Sequence, residues 1–186
     1  MAIVALALGF ISMAAYFLLA HKPKPPKDTF EDLKAIWVAY GIDADYFNNA
    51  YGELLNLSDA ELVEMRNKFR AFRRQSNTLW LRDLADIYST AVDIELIRRR
   101  ISVLKERVAG LKDPCSDVPS FTNLLSEQEK LVSLVNQYGK KLRGFSENYP
   151  QNFEELHLRA NVSSAELNRM LSRQRALVAG LQEVCR

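Results

Sequence analysis

An uncharged and almost wholly apolar run from Ala2 to Ala20 restricts the fold of this chain more than any other feature. As an α-helix with a rise of about 1.5 Å per residue, such a run nearly covers the roughly 30 Å hydrocarbon layer of a bilayer. The sequence therefore predicts a transmembrane helix within residues 1–21, with residues 2–20 in contact with lipid. The rest of the chain is expected to work at a membrane.

A cleavable signal peptide is the alternative interpretation of this run. The run is longer than the roughly 7–15 residues of a signal core, and Leu18 stands where cleavage after Ala20 would need a small residue. We therefore expect a retained signal-anchor. The segment 22–28 is rich in lysine and proline, which predicts a stiff, extended linker between the anchor and the following domain.

The chain after the linker shows helical periodicity throughout, so we predict an all-α fold. Residues 29–57 are expected to form short aromatic and acidic helices, beginning at a capping box of Thr29 with Asp32. A turn after Asp43 would present the aromatic residues Tyr46, Phe47 and Tyr51. Residues 58–186 are expected to form an antiparallel helical bundle.

Apolar residues spaced three and four apart define the predicted core of this bundle. Capping boxes of Ser58 with Glu61 and of Ser163 with Glu166 would begin its first and last helices. The polar stretch 75–78 is expected to break or kink the long helical pattern that starts at Ser58. The predicted seams are Leu62, Met65, Phe69 and Phe72; Trp80 to Leu111; Phe121, Leu124, Gln128, Leu131, Val135, Tyr138, Leu142, Phe145 and Tyr149; and Leu167, Met170, Gln174, Leu177, Leu181 and Val184. The third seam predicts a coiled-coil-like hairpin within one chain, in preference to a parallel dimer.

The two cysteines are predicted to lie at the same end of the bundle. Cys115 falls in the loop of the hairpin, and Cys185 falls in the last turn of a helix that returns towards that loop. We therefore predict a disulfide, which would stabilise the fold by about 4 kcal/mol on the chain-entropy model. Two unrelated thiols are the alternative.

Two features of the sequence disagree on which side of the membrane the domain lies. Lys22, Lys24 and Lys27 follow the apolar run, and basic residues that flank a span tend to remain in the cytoplasm. A disulfide instead requires an oxidising compartment outside the cytoplasm. We favour an exported domain, with the cytoplasmic orientation as the alternative.

A cluster of basic residues is the best candidate for a binding surface. Its members are Arg66, Lys68, Arg70, Arg73 and Arg74, and a second basic cluster spans residues 98–100. Such a basic flank could bind anionic lipid or nucleic acid, or it could simply be a solvated face that neutralises the acidic first module. The formal net charge of +2 argues against nucleic acid as a general partner.

The sequence shows no recognisable catalytic, cofactor or metal motif. The histidines, His21 and His157, lie in different segments, and neither a glycine-rich phosphate loop nor a paired-cysteine metal motif is present. We therefore expect a non-catalytic, membrane-anchored interaction or structural module of a cell envelope, with an unidentified protein partner. The alternative is a cytoplasm-facing binder of lipid or nucleic acid.

The layout of the chain also resembles one known class of protein. An anchor, a helical stretch, an internal cysteine and the residues Glu183-Val184-Cys185-Arg186 look similar to the inner-membrane spanins of phage lysis systems. That resemblance implies an anchored helical lysis protein. The aromatic-rich region from Trp37 to Trp80 departs from a simple rod, so we transfer no functional residue from the spanins.

Overall fold

The computed structural model describes residues 29–42, 54–158 and 164–185, and within these ranges the protein is all-helical without strands. The described helices are α1 (Phe30–Val38), α2 (Asp59–Gln75), α3 (Leu79–Ala109), α4 (Val118–Asn148), α5 (Pro150–Glu155) and α6 (Ala165–Val184), with a 3₁₀ turn at Pro114–Asp117. The predicted anchor in 1–21, the linker 22–28, the residues Tyr46, Phe47 and Tyr51, and the cap Ser163 lie outside the described residues. Among the helices described, none is long and apolar enough to cross a membrane.

The first two helices begin where the sequence predicts. The Thr29 hydroxyl accepts a hydrogen bond from the Asp32 amide, and the Ser58 hydroxyl accepts one from the Glu61 amide, each with the reciprocal bond of a capping box. The predicted interruption is confirmed as well, because α2 ends at Gln75 and α3 begins at Leu79.

Helix α3 lies at the centre of the bundle. It packs against α2 on one side and α4 on the other, while α1 covers the pair formed by α2 and α3. Because both sides are covered, even polar α3 residues such as Ser89, Thr90 and Glu95 are buried. The rings of Trp37, Phe69 and Tyr88 meet at centroid distances of 4.9–5.5 Å and join α1, α2 and α3.

Ion pairs and hydrogen bonds show that successive long helices run antiparallel. In the hairpin of α3 and α4, Arg107 pairs with Asp117 at the loop end, and the Tyr149 hydroxyl donates to Asp83 at the open end. Helix α4 begins at Val118, three residues before the first residue of the predicted seam, Phe121, because the Asp117 carboxylate caps it by accepting from the Ser120 amide. The bundle predicted from the seams is confirmed.

The predicted seam of the last helix is partly wrong. Helix α6 buries Leu171 and Val178, whereas Met170, Leu177 and Val184 of the predicted seam are exposed. The physical reason is that α6 packs mainly on one neighbour, α4, so only a narrow face is covered. That face is rotated by one residue from the heptad pattern. The short helix α5 begins at Pro150, where proline suits the first turn.

Candidate functional site

Three arginines of the predicted basic flank point towards carboxylates of α3. Asp86 and Asp93 are two helical turns apart and therefore share one face of α3. Asp93 accepts from Arg66 at 3.2 Å and from Arg70 at 2.6 Å, and Asp86 pairs with Arg73 at 2.9 Å. The flank is thus partly engaged in holding α2 against α3.

A cleft of about 470 Å³ lies beside these ion pairs, where α2, α3 and α4 meet. We call it the basic cleft, and its charged lining consists of Arg70, Arg73, Arg74, Arg82, Lys141, Asp86 and Asp93. Five cationic side chains thus face two carboxylates, a formal excess of three positive charges. Unpaired positive charge around a concave surface attracts anions more strongly than the same charge on a convex one.

Polar groups of α3 and α4 complete the basic cleft. Lys141 Nζ lies 2.7 Å from Asp86 Oδ2 and donates to the Thr90 hydroxyl at 2.8 Å, which fixes the lysine at the inner wall. Arg74 and Arg82 are exposed, and neither has an ion-pair partner among the described residues. These two guanidinium groups therefore remain available to an external anion.

Lys68 does not belong to this cleft. Its ammonium lies 2.9 Å from Glu64 and 4.7 Å from the centre of the Tyr40 ring, on the side of α2 that faces α1. The proximity of Tyr40 and the Glu64 carboxylate raises the pKa of Lys68. Of the predicted flank, Arg70, Arg73 and Arg74 line the basic cleft, and Arg66 lines an adjoining cavity of about 350 Å³.

The second basic cluster is divided by the fold. Arg100 lines the adjoining cavity, Arg98 lies 3.7 Å from Glu95, and Arg99 turns inward. Arg99 donates five hydrogen bonds, to Glu95, to Asp59 and to the backbone carbonyls of Leu54, Leu55 and Leu57. Burial lowers the pKa of Arg99, but the hydrogen bonds and charges of Asp59 and Glu95 outweigh burial and raise it. This arginine holds the segment before α2 against α3.

Replacing Arg99 with methionine should destabilise the protein by about 2–3 kcal/mol, because it leaves the buried Glu95 carboxylate without its closest cation. Adding Glu95→Gln should restore part of the loss, since the buried charge is then removed. Urea unfolding of the two single variants and the double variant measures this coupling. A loss of stability in the double variant equal to the sum of the two single losses would contradict the assignment of Arg99 as the partner of Glu95.

The disulfide predicted from the sequence is present. Cys115 in the 3₁₀ turn is bonded to Cys185 after α6, with their Cα atoms 5.3 Å apart. The bridge ties the free end of α6 to the loop between α3 and α4.

Sequence reasoning missed Arg82 and Lys141 as members of the basic cleft. The spacing of Asp86 and Asp93 was a readable signal, because two carboxylates seven residues apart on a mostly apolar helix suggest cationic partners on neighbouring helices. The positions of Arg82 and Lys141 depend on how α3 and α4 are aligned. Comparison with known proteins adds no further information on the site: no protein-family model, curated protein or solved structure matches the chain.

Proposed function

We propose that this chain is a single-pass, membrane-anchored protein whose helical bundle is exported and binds a partner in a cell envelope without catalysing a reaction. The observation that supports this proposal most is the bond between Cys115 and Cys185. Structural disulfides persist in oxidising compartments and are rare in the cytoplasm. The bridge thus outweighs the contrary argument from Lys22, Lys24 and Lys27.

The proposal takes its anchor from the sequence. The apolar run 2–20 suits a membrane span, and the lysine- and proline-rich segment 22–28 suits a spacer between bilayer and bundle. The separation of His21 and His157 and the lack of a recognisable catalytic motif in the sequence support a non-catalytic role. The spanin-like alternative stays a prediction.

Exposed apolar side chains on α6 support a role in binding. Met170, Leu177 and Val184 are 40%, 45% and 81% exposed, and their spacing of seven residues places them on one side of the helix. Apolar residues at this spacing are typical of contacts between helices. Leu177 and Val184 are therefore open to a partner, whereas Met170 also lines a cavity shared with α3 and α4.

Labelling of the cysteines in intact cells tests the proposed function. We expect a membrane-impermeant maleimide to label the full chain only after treatment with a reductant, because both thiols are bonded and outside the cytoplasm. Carbonate extraction should leave the chain in the membrane pellet. A variant with serine at both cysteine positions is the control, and it should remain unlabelled under all conditions.

Two results would contradict the proposal. Labelling that requires cell lysis but no reductant would place free thiols in the cytoplasm and favour the cytoplasm-facing alternative. Release of the chain by carbonate would show that the run 2–20 does not anchor it. Either result can be obtained independently of the other.

A further inference from the structure

We propose that the basic cleft binds the phosphate headgroup of an anionic lipid at the surface of the membrane in which the chain is anchored. The charge and the space of the cleft suit a phosphodiester, because five cationic side chains surround about 470 Å³ and only two carboxylates oppose them. Guanidinium groups donate paired hydrogen bonds that match phosphate oxygens. Arg74 on α2 and Arg82 on α3 both line the cleft, and neither has an ion-pair partner in the described part of the chain.

The position of the cleft within the bundle points to lipid as the source of the phosphate. The ring of Phe30, at the start of α1, lies 6.1 Å from that of Trp80, at the start of α3. Arg74 and Arg82 flank the turn between α2 and α3 at this same end of the bundle. The chain therefore enters the domain at the same end of the bundle as Arg74 and Arg82.

The length of the linker keeps that end close to the bilayer. Residues 21–28 can span at most about 28 Å, even when fully extended. This step depends on the proposed anchor at residues 2–20. The unpaired arginines are thus held within reach of the headgroup layer.

The polar lining indicates how the headgroup would be held. Arg70, Arg73 and Lys141 are already paired with Asp86 and Asp93, so these three cations are held in the cleft before any anion binds. Arg74 and Arg82 can close over the phosphate without breaking an ion pair. The exposed amide of Gln137 lines the same cleft and can hydrogen-bond to a glycerol headgroup.

The test compares thermal unfolding of the full chain in neutral detergent micelles that contain either phosphatidylglycerol or phosphatidylcholine. We expect phosphatidylglycerol at about ten times its dissociation constant to raise Tm by about 3–6 °C, and phosphatidylcholine to leave it unchanged. In Arg74→Glu/Arg82→Glu this shift should disappear. The milder Arg74→Gln/Arg82→Gln should lose at least half of it.

A matched control variant separates the site from overall charge. Arg169→Glu/Arg173→Glu makes the same change in net charge on exposed positions of α6, away from the basic cleft, and should keep the full shift. Both charge-reversed variants should unfold at the wild-type Tm in neutral micelles. Equal loss of the shift in the cleft and α6 variants would overturn the proposal in favour of non-specific attraction.

Further arms identify the source of the phosphate. An equal shift with free glycerol phosphate at the same concentration would overturn lipid as the ligand in favour of a soluble phosphate. A shift with duplex DNA but not with phosphatidylglycerol would overturn it in favour of nucleic acid. The micelle assay requires neither insertion nor export, so a failure here leaves the labelling and carbonate results, and with them the proposed function, unaffected.

Discussion

Reduction of the Cys115–Cys185 bond is expected to lower the free energy of unfolding by about 4 kcal/mol, and Tm by about 8–16 °C. The bond joins residues 70 positions apart, so the unfolded chain gains much conformational freedom when the bond is cut. Packing of α6 can replace little of the stability that the bond supplies, because among the residues of α6 only Leu171 and Val178 are buried. Denaturant and thermal unfolding with and without reductant measure the loss.

The loss should appear first in α6. This helix packs mainly on α4, so reduction removes the attachment of its free end to the loop beside α4. Amide hydrogen exchange should therefore speed up most at the end of α6, near Val184, while α3 stays protected. The variant with serine at both cysteine positions should match the reduced protein and show no response to reductant. A Tm that does not change on reduction would contradict this account.

The sequence predicted the fold well where interactions between residues close together in the chain decide the structure. The capping boxes at Thr29 and Ser58 involve only residues three apart, and both are present. The prediction that both cysteines lie at one end of the bundle followed from the short loops, because short loops force neighbouring helices to run antiparallel. These features need no knowledge of how helices rotate against each other.

The rotation of α6 and the composition of the basic cleft could not be predicted in this way. Leu177 and Val178 are both apolar, and only the single-sided packing of α6 on α4 decides that Val178 is buried. Likewise, Lys141 reaches Asp86 because of the vertical alignment of α3 and α4. Alignment and rotation are set by the fit of many side chains together, which a one-dimensional pattern does not contain.

Two leucines in the buried seam of α4 have different surroundings. Leu131 and Leu142 both belong to the seam predicted from the sequence, but the structure distinguishes them. Leu142 is 1% exposed within the main core, whereas Leu131 is 8% exposed and lines a cavity of about 510 Å³ together with Arg98, Arg99 and Lys105. An aspartate at 142 would be buried without a partner, and an aspartate at 131 would meet cations and water.

Leu142→Asp should therefore unfold the bundle at room temperature, because burying an unpaired carboxylate costs more than the roughly 5 kcal/mol at the lower end of net domain stability. Leu131→Asp should remain folded, with a loss of about 2–3 kcal/mol. Lys140→Asp, at an exposed position on the same helix, controls for helix propensity and should change stability by less than about 0.5 kcal/mol. Circular dichroism and urea unfolding rank the three variants. A loss at Leu131 equal to that at Leu142 would show that the cavity does not admit water, and that burial along this seam is uniform.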